Sequence, residues 1–277
     1  MKNDSLRKLQ LEELSLLERF IEICEEHGFR YYMLGGTLLG AIRHKGFIPW
    51  DDDVDVCMPR EDYEKFIRLS GKEIGKGYSL QLFQKRKRNT SRYPWARMIT
   101  KNMKIINHMA NIPREEYVWI DVIPLDGWPD SKLKIFAHKV HLLFWWNLNQ
   151  IIQYDELVDQ RRKRSWKGKL AIKVASWFKW IGKFVDYRKC LYKLNKILMK
   201  YPYDSDSREI INFLAAFGFD EKFERESFKE AKDYEFEGHM IKGPAGYDSV
   251  LKHIYGADYM TPPPEDERDK HHAEIVE

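Results

Sequence analysis

The chain of 277 residues is 43% hydrophobic and 32% charged with a net charge of +4, which fits one large globular domain or one domain with an insertion and excludes a disordered or low-complexity chain. No apolar run reaches the roughly 18 residues that a spanning helix needs, and the charged stretch Lys2–Leu17 does not read as a signal peptide. Cys24, Cys57 and Cys190 are odd in number and far apart, so they give neither a disulfide framework nor a zinc pattern and point to a reducing cytoplasm.

In chain order, residues 4–27 predict a helix. Leu6, Leu9, Leu14, Leu17, Phe20, Ile21 and Cys24 recur at three- and four-residue spacing, Asp4 or Ser5 caps the start, and Gly28 ends it. Tyr31–Leu34 reads as a strand that turns at Gly35-Gly36. Glycine lets the backbone approach an anion closely, and successive N–H groups with the Thr37 hydroxyl suit phosphate oxygens. Arg43, His44 and Lys45 follow as a short basic patch available to a diphosphate.

Four carboxylates come next, Asp51, Asp52, Asp53 and Asp55. Val54 and Val56 alternate with Asp53 and Asp55, the period of a strand, so the two acids share one face. Side-by-side carboxylates repel, and a hard divalent cation such as Mg²⁺ or Mn²⁺ relieves the repulsion and favours phosphate oxygens as its remaining ligands.

Further on, Glu61–Ser70 reads as helical, and Tyr78–Gln84 and Tyr93–Thr100 as strands around a polar Lys85–Arg92 turn. Tyr117–Ile123 reads as a buried strand closed by Pro124. Asp121 interrupts that apolar run, and a carboxylate there needs a partner or a metal. Asp126, beyond the proline, reads as a turn residue. Arg97 is a candidate contact to phosphate or base.

Residues 131–200 predict helices of unusual composition. Phe144, Trp145 and Trp146 sit in one segment, and Trp166, Trp177, Phe178, Trp180 and Phe184 in another. From Arg161 to Lys200 there are fourteen Lys or Arg against one acid, Asp186, a local charge of +13. A basic helix with aromatic anchors suits the surface of an anionic bilayer, whereas no RNA- or DNA-binding motif accompanies it, so no nucleic-acid partner is expected. The competing reading buries those tryptophans in a core beneath a solvated helix. An apolar run Ile210–Phe219, a turn-rich Lys242–Tyr247 connector and a helix near Asp248–Tyr255 follow. Pro262–Pro264 fixes an extended path that would return Arg268, His271 and His272 towards the site.

The stretch Gly35–Phe66, GGTLLGAIRHKGFIPWDDDVDVCMPREDYEKF, resembles the signature of the LicD family of phosphotransferases, which includes the fukutin-related proteins. The likeness recurs around Trp119–Trp128 and at Tyr255–His272, where Ala257 interrupts the usual Gly-Asp pair. It implies an α+β fold: a nucleotidyltransferase-like mixed sheet core with flanking helices, over residues 1–130, a basic aromatic helical insertion over 131–200, and a C-terminal segment over 201–277 packing back on the core. It also implies a metal site of Asp53, Asp55 and Asp121 with Asp51, Mg²⁺ or Mn²⁺ as cofactor, and Asp121 acting on the acceptor hydroxyl.

Gly35, Gly36, Thr37, Arg43, His44, Trp50, Arg97, His271 and His272 are the expected substrate contacts. The resemblance alone implies CDP-choline as donor and a hydroxyl of a bacterial surface glycan as acceptor, a teichoic acid precursor, capsule or lipopolysaccharide that is lipid-linked, with CMP released. Relatives that use CDP-ribitol or CDP-glycerol keep those donors open. A choline head group calls for aromatic faces, for which Trp50, Tyr93, Trp95 and Trp119 are candidates. A nucleotidyltransferase proper and a non-catalytic glycan- or membrane-binding scaffold are the other classes. The longer spacer between turn and carboxylates disfavours the first, and the intact Asp53, Asp55 and Asp121 disfavour the second. The expected location is the cytoplasm, peripheral at the inner face of the cell membrane.

Overall fold

The computed structural model describes residues 2–83, 91–108, 113–158, 166–215, 218–266, 268 and 273–276. The chain opens with a long helix, α1 (Lys2–His27), which buries Leu9, Leu16, Leu17, Phe20 and Cys24 against the sheet and stops at Gly28 with φ +67°. That φ is cheap only for glycine, so the helix ends where the sequence expects. Phe20 meets Tyr31 and Phe66 edge-on at 5.4 and 5.3 Å, which pins the helix over the start of the sheet.

Then follow β1 (Tyr32–Met33), α2 (Gly35–His44), β2 (Asp55–Pro59), α3 (Arg60–Phe66), α4 (Gly71–Ile74), β3 (Tyr78–Gln81), β4 (Ala96–Asn107) and β5 (Arg114–Gly127). The helical region holds α5 (Lys132–Ile152), α6 (Tyr154–Leu157), α7 (Trp166–Phe178), a 3₁₀ turn at Lys179–Lys183, and α8 (Tyr187–Leu198). The remainder comprises β6 (Glu209–Ile211), β7 (Lys222–Glu224), β8 (Ala231–Phe236), β9 (His239–Pro244), α9 (Tyr247–Tyr255) and β10 (Ala273–Ile275).

The main sheet is mixed. Its backbone order is β1-β2-β5-β4-β10, with β3 also on β4, β6 on β5, and β7 on β6. β2 and β5 run parallel, and the other pairs are antiparallel. β8 and β9 form a separate hairpin. The expected α+β class, a mixed sheet flanked by helices, is the architecture of the chain.

Four local expectations are corrected. Gly35-Gly36 is no free turn but the first two residues of α2. β5 does not close at Pro124 but runs on to Gly127. Pairing with β4 begins at Ala96 opposite Val122, so the proline, which lacks an N–H, lies past the β4 ladder and costs it no bond. The strand expected from Tyr93 starts at Ala96.

Asp126 is not a turn residue but is buried in β5, where Arg60 grips it with two hydrogen bonds of 2.7 and 2.6 Å. Arg60 also donates to Asn195 Oδ1 at 3.0 Å, which ties α3, β5 and α8 together. Most of the expected Lys85–Arg92 turn, and both His271 and His272, lie outside the described residues.

A second core under the far end of β5 joins Trp128, Leu142, Leu194, Leu198, Ile211 and Phe213. It divides the aromatic residues of the helical region. Trp145 and Trp146 pack on this core, while Phe144, Trp166, Trp177, Phe178, Trp180 and Phe184 stay exposed. No helix among the described residues is long and apolar enough to cross a membrane.

Candidate active site

β1 delivers the chain to α2 at the sheet edge, and β2 brings the acidic run back beside it. Leu34 N–H donates to the Asp55 carbonyl, and Asp55 N–H donates to Thr37 Oγ1 at 2.9 Å. Thr37 is buried and absent from the cavity lining; its hydroxyl oxygen, by accepting from Asp55 N–H, fastens β2 to the start of α2. Leu34, the residue before α2, makes no side-chain cap, and the positive end of the helix lies next to the carboxylates of Asp51 and Asp55.

The two glycines have separate reasons. Gly35 adopts φ +57°, a conformation that L side chains resist, and a Cβ there would sit 3.5 Å from Asp55 Oδ2. Gly36 has ordinary φ, but a Cβ would come within 2.6 Å of Asp51 Oδ2. A side chain at Gly36 would displace that carboxylate.

These groups line a cavity of about 590 Å³. One wall carries Gly35, Gly36, Arg43, Trp50, Asp51, Asp53 and Asp55; a second, built by segments later in the chain and meeting the first at Arg43–Tyr259, carries Asn212, Glu221, Tyr255, Asp258 and Tyr259. The Pro262–Pro264 run closes one side, and Arg268 lies over the Trp50 ring at 4.3 Å from its centre, so the extended tail does return to the site. Arg43 donates to the Tyr259 carbonyl at 2.8 Å, and desolvation lowers its pKa. His44, beside Arg43 and edge-on to Trp50 at 6.2 Å, is absent from the wall. Desolvation and then the Arg43 charge push its pKa down.

Electrostatics set the character of the site. Burial pushes the Asp55 carboxyl well above the usual range, and the charges of Asp121, Glu221 and Asp51 push the same way against Arg97. Asp53 keeps solvent contact through the cavity mouth, yet the surrounding protein displaces bulk water. That desolvation, with Asp51, Asp55, Asp52 and Glu13 nearby, raises it as well. Glu13, buried on α1, is raised by burial and then by Asp52 and Asp51. Tyr255 is raised by burial and then by Asp51 and Asp55.

Asp121 stands beside Asp55 across the parallel β2–β5 pair and opposite Arg97 across β4–β5. Its Oδ1 accepts from Trp95 Nε1 at 2.7 Å and from Arg97 Nε at 3.0 Å. The Arg97 guanidinium is buried between the rings of Tyr93 and Trp119, 3.8 and 4.0 Å from their centres. Two expectations change accordingly. Arg97 is engaged by Asp121 and two rings and, like Asp121, is absent from the cavity lining, so the anion it meets in this structure is that carboxylate. Tyr93 and Trp119 cage that arginine, and Trp95 is bonded to Asp121, which leaves Trp50 alone of the expected aromatic faces on the cavity wall.

The donor set fits a hard divalent cation in part. Among the described residues no three acidic, His or Cys side chains already converge as a complete cage, so the expected set of Asp51, Asp53, Asp55 and Asp121 is not preassembled. Magnesium, however, is commonly held by one or two carboxylates and completed by substrate phosphates and water. Asp53 and Asp55, hard oxygen donors whose charges are unfavourable where they stand, meet that description.

Sequence reasoning missed the second wall. Asn212 donates to Glu221 Oε2 at 3.0 Å, and both reach the cavity from segments with no local motif. Glu13 carried a readable signal, since it interrupts the apolar stripe of α1 between Leu9 and Phe20.

Comparison with known proteins bears on the same stretch. A LicD/FKTN/FKRP nucleotidyltransferase domain matches residues 28–143. The lipopolysaccharide cholinephosphotransferase LicD of Haemophilus influenzae is 29% identical over 283 residues, covering 98% of this chain and 97% of that protein. The human and mouse ribitol 5-phosphate transferases FKRP are 46% identical over 55 residues, 20% of this chain but only 11% of theirs.

Proposed function

Because residues 28–143 belong to the LicD/FKTN/FKRP nucleotidyltransferase-domain family, we propose that the chain is a phosphotransferase that moves phosphocholine from CDP-choline to a hydroxyl of a bacterial surface glycan and releases CMP. The observation that carries this reading is the likeness to a cholinephosphotransferase along nearly the whole chain. The cavity adds chemical support, with Asp53 and Asp55 on its wall beside the glycines that start α2.

In the reaction the acceptor oxygen bonds to the phosphorus that carries choline, the bond from that phosphorus to the CMP oxygen breaks, and the acceptor proton leaves to a base. Little covalent work falls to the protein; positioning and charge do most of it. The start of α2 and Arg43 would hold the diphosphate oxygens. Asp53 and Asp55, with Asp51 alongside, would hold Mg²⁺ or Mn²⁺. Such a cation offsets charge on the diphosphate and on the leaving nucleotide. Asp121 is not itself in the cavity lining but stands beside Asp55, which is; with its Oδ1 fixed by Trp95 and Arg97, Oδ2 is the atom through which it would orient an acceptor hydroxyl brought up to Asp55 and take its proton. Trp50 offers a π face for the quaternary ammonium.

Lipopolysaccharide is the acceptor class favoured by the full-length relative, ahead of teichoic acid precursors or capsule. A lipid-linked acceptor places the work at the inner face of the cell membrane. The matches to ribitol 5-phosphate transferases support a second donor, CDP-ribitol, over a shorter stretch. The test is to supply CDP-choline, CDP-ribitol and CDP-glycerol in turn with Mg²⁺ and a glycan acceptor and to measure CMP. CDP-choline should give the fastest acceptor-dependent release; a preference for another CDP-alcohol would move the head group, and release of diphosphate in place of CMP would refute the reaction.

A further inference from the structure

We propose that the outward faces of α5, α7 and the 3₁₀ turn after α7 form one docking surface for an anionic phospholipid bilayer. This deepens the membrane placement given above, but it rests on none of the catalytic assignments.

The two faces are built alike. On α5, Leu133, Phe136, Val140, Leu143 and Phe144 recur at three- and four-residue spacing and are all exposed, Leu133 at 78%. The opposite side of the same helix carries His138, Leu142 and Asn149 into the interior. An α5 face left apolar and outward is therefore not a by-product of poor patterning, because the inward face is complete without it.

On α7, Trp166, Leu170, Val174, Trp177 and Phe178 repeat the spacing, with Trp166 71% and Trp177 66% exposed. None of the described side chains of α7 is buried. Trp180 and Phe184, the latter 80% exposed, continue the apolar face past the helix. A helix with no fully buried side chain gains little from folding onto its own protein, and an apolar face of this extent marks an interaction site.

Charge selects the occupant. Exposed Lys169 and Lys173 alternate with the aromatic residues of α7, and Lys183 lies between Trp180 and Phe184. The segment from Arg161 to Lys200 carries +13. A second copy of the chain would bring the same positive charge against it, which opposes self-association. An anionic bilayer matches both features, since tryptophan and phenylalanine enter the interface while lysines reach the phosphate plane.

Full-length protein sedimented with vesicles of phosphatidylcholine alone, and of phosphatidylcholine mixed with phosphatidylglycerol, tests this. Binding should require the anionic lipid and weaken with salt. The exposed pair Lys169→Glu/Lys173→Glu should lower the apparent affinity on the order of tenfold or more. Trp177→Glu/Trp180→Glu should abolish sedimentation while far-ultraviolet dichroism and melting temperature stay unchanged. Wild-type protein that remains in the supernatant, or binding indifferent to both variants, overturns the proposal. So does light scattering that shows a dimer broken by Trp177→Glu/Trp180→Glu without vesicle binding, which would make the face a contact between copies. Asp53→Asn should still sediment with vesicles, so failure of the catalytic reading and failure of this one are separately visible.

Discussion

Asp55 and Asp121 are direct neighbours across the parallel pairing of β2 and β5, and Arg97 lies opposite Asp121 on the other side. The Asp121 charge is the largest neighbouring contribution that raises the Asp55 carboxyl, while Arg97 opposes it. Two carboxylates with one committed cation between two strands leave a net demand for positive charge at the cavity wall.

That demand has a stability consequence. A carboxyl whose folded pKa is raised binds its proton more tightly folded than unfolded, so its contribution is lost as pH rises from the ordinary carboxylate range towards the raised value. Asp55→Asn should therefore raise the melting temperature of metal-free protein at neutral pH, and both Asp55→Asn and Asp53→Asn should lower turnover by about a hundredfold or more. Mg²⁺ should raise the melting temperature of wild type and leave Asp55→Asn nearly unmoved. Equal shifts in both proteins would remove the cation from that site.

Gly36→Ala inserts a methyl group where Asp51 Oδ2 stands 2.6 Å from the ideal Cβ position. The carboxylate has to move, and displacement of a positioned group by about 1 Å costs about a hundredfold in rate. Turnover should fall by about that much with the melting temperature changed little, because the shift is at a cavity wall. Steady-state kinetics beside a thermal melt would separate this from general misfolding.

The Arg60–Asp126 pair is buried on both sides, with contacts of 2.7 and 2.6 Å. Removing one partner leaves a buried charge without compensation, which costs about 3–5 kcal/mol. Asp126→Ala should lower stability by that order in urea unfolding, and Arg60→Ala/Asp126→Ala should be less destabilised than the sum of the single variants. Strict additivity would show that the two do not act as a pair.

His138 is buried among the rings of Trp128 and Tyr201, and burial, followed by the Lys200 charge, lowers its pKa from 6.5 to about 4. The unfolded chain takes up the proton first, so stability falls as pH drops from 6.5 towards 4. His138→Gln should flatten that part of the pH–stability curve relative to wild type; an unchanged slope would mean that the loss arises elsewhere.

Much of the first wall was readable because it is local. Gly35, Gly36, Arg43, Trp50, Asp51, Asp53 and Asp55 fall within one short stretch, where the glycine pair and the strand alternation leave their own residue patterns, although the pair reads as a turn and in fact opens α2. What resisted reading depends on long-range pairing. Nothing near Asp126 reveals that Arg60, 66 positions away, will neutralise it, so a buried anion read as a turn. Arg97 reads as a spare cation until β4 and β5 align it with Asp121 between Tyr93 and Trp119. Asn212 and Glu221 join the second wall only because the chain returns there after the helical region. The tryptophans of that region were ambiguous for a similar reason: composition does not say which face of α5 the second core will take.

The most direct test of the cation-and-diphosphate reading is calorimetric titration of CDP-choline into wild-type protein and Asp55→Asn, each with Mg²⁺ and with EDTA. Wild type should bind the donor only when Mg²⁺ is present, and Asp55→Asn should bind weakly or not at all under either condition. Equal donor affinity in all four titrations would contradict a cation held by these aspartates against the diphosphate.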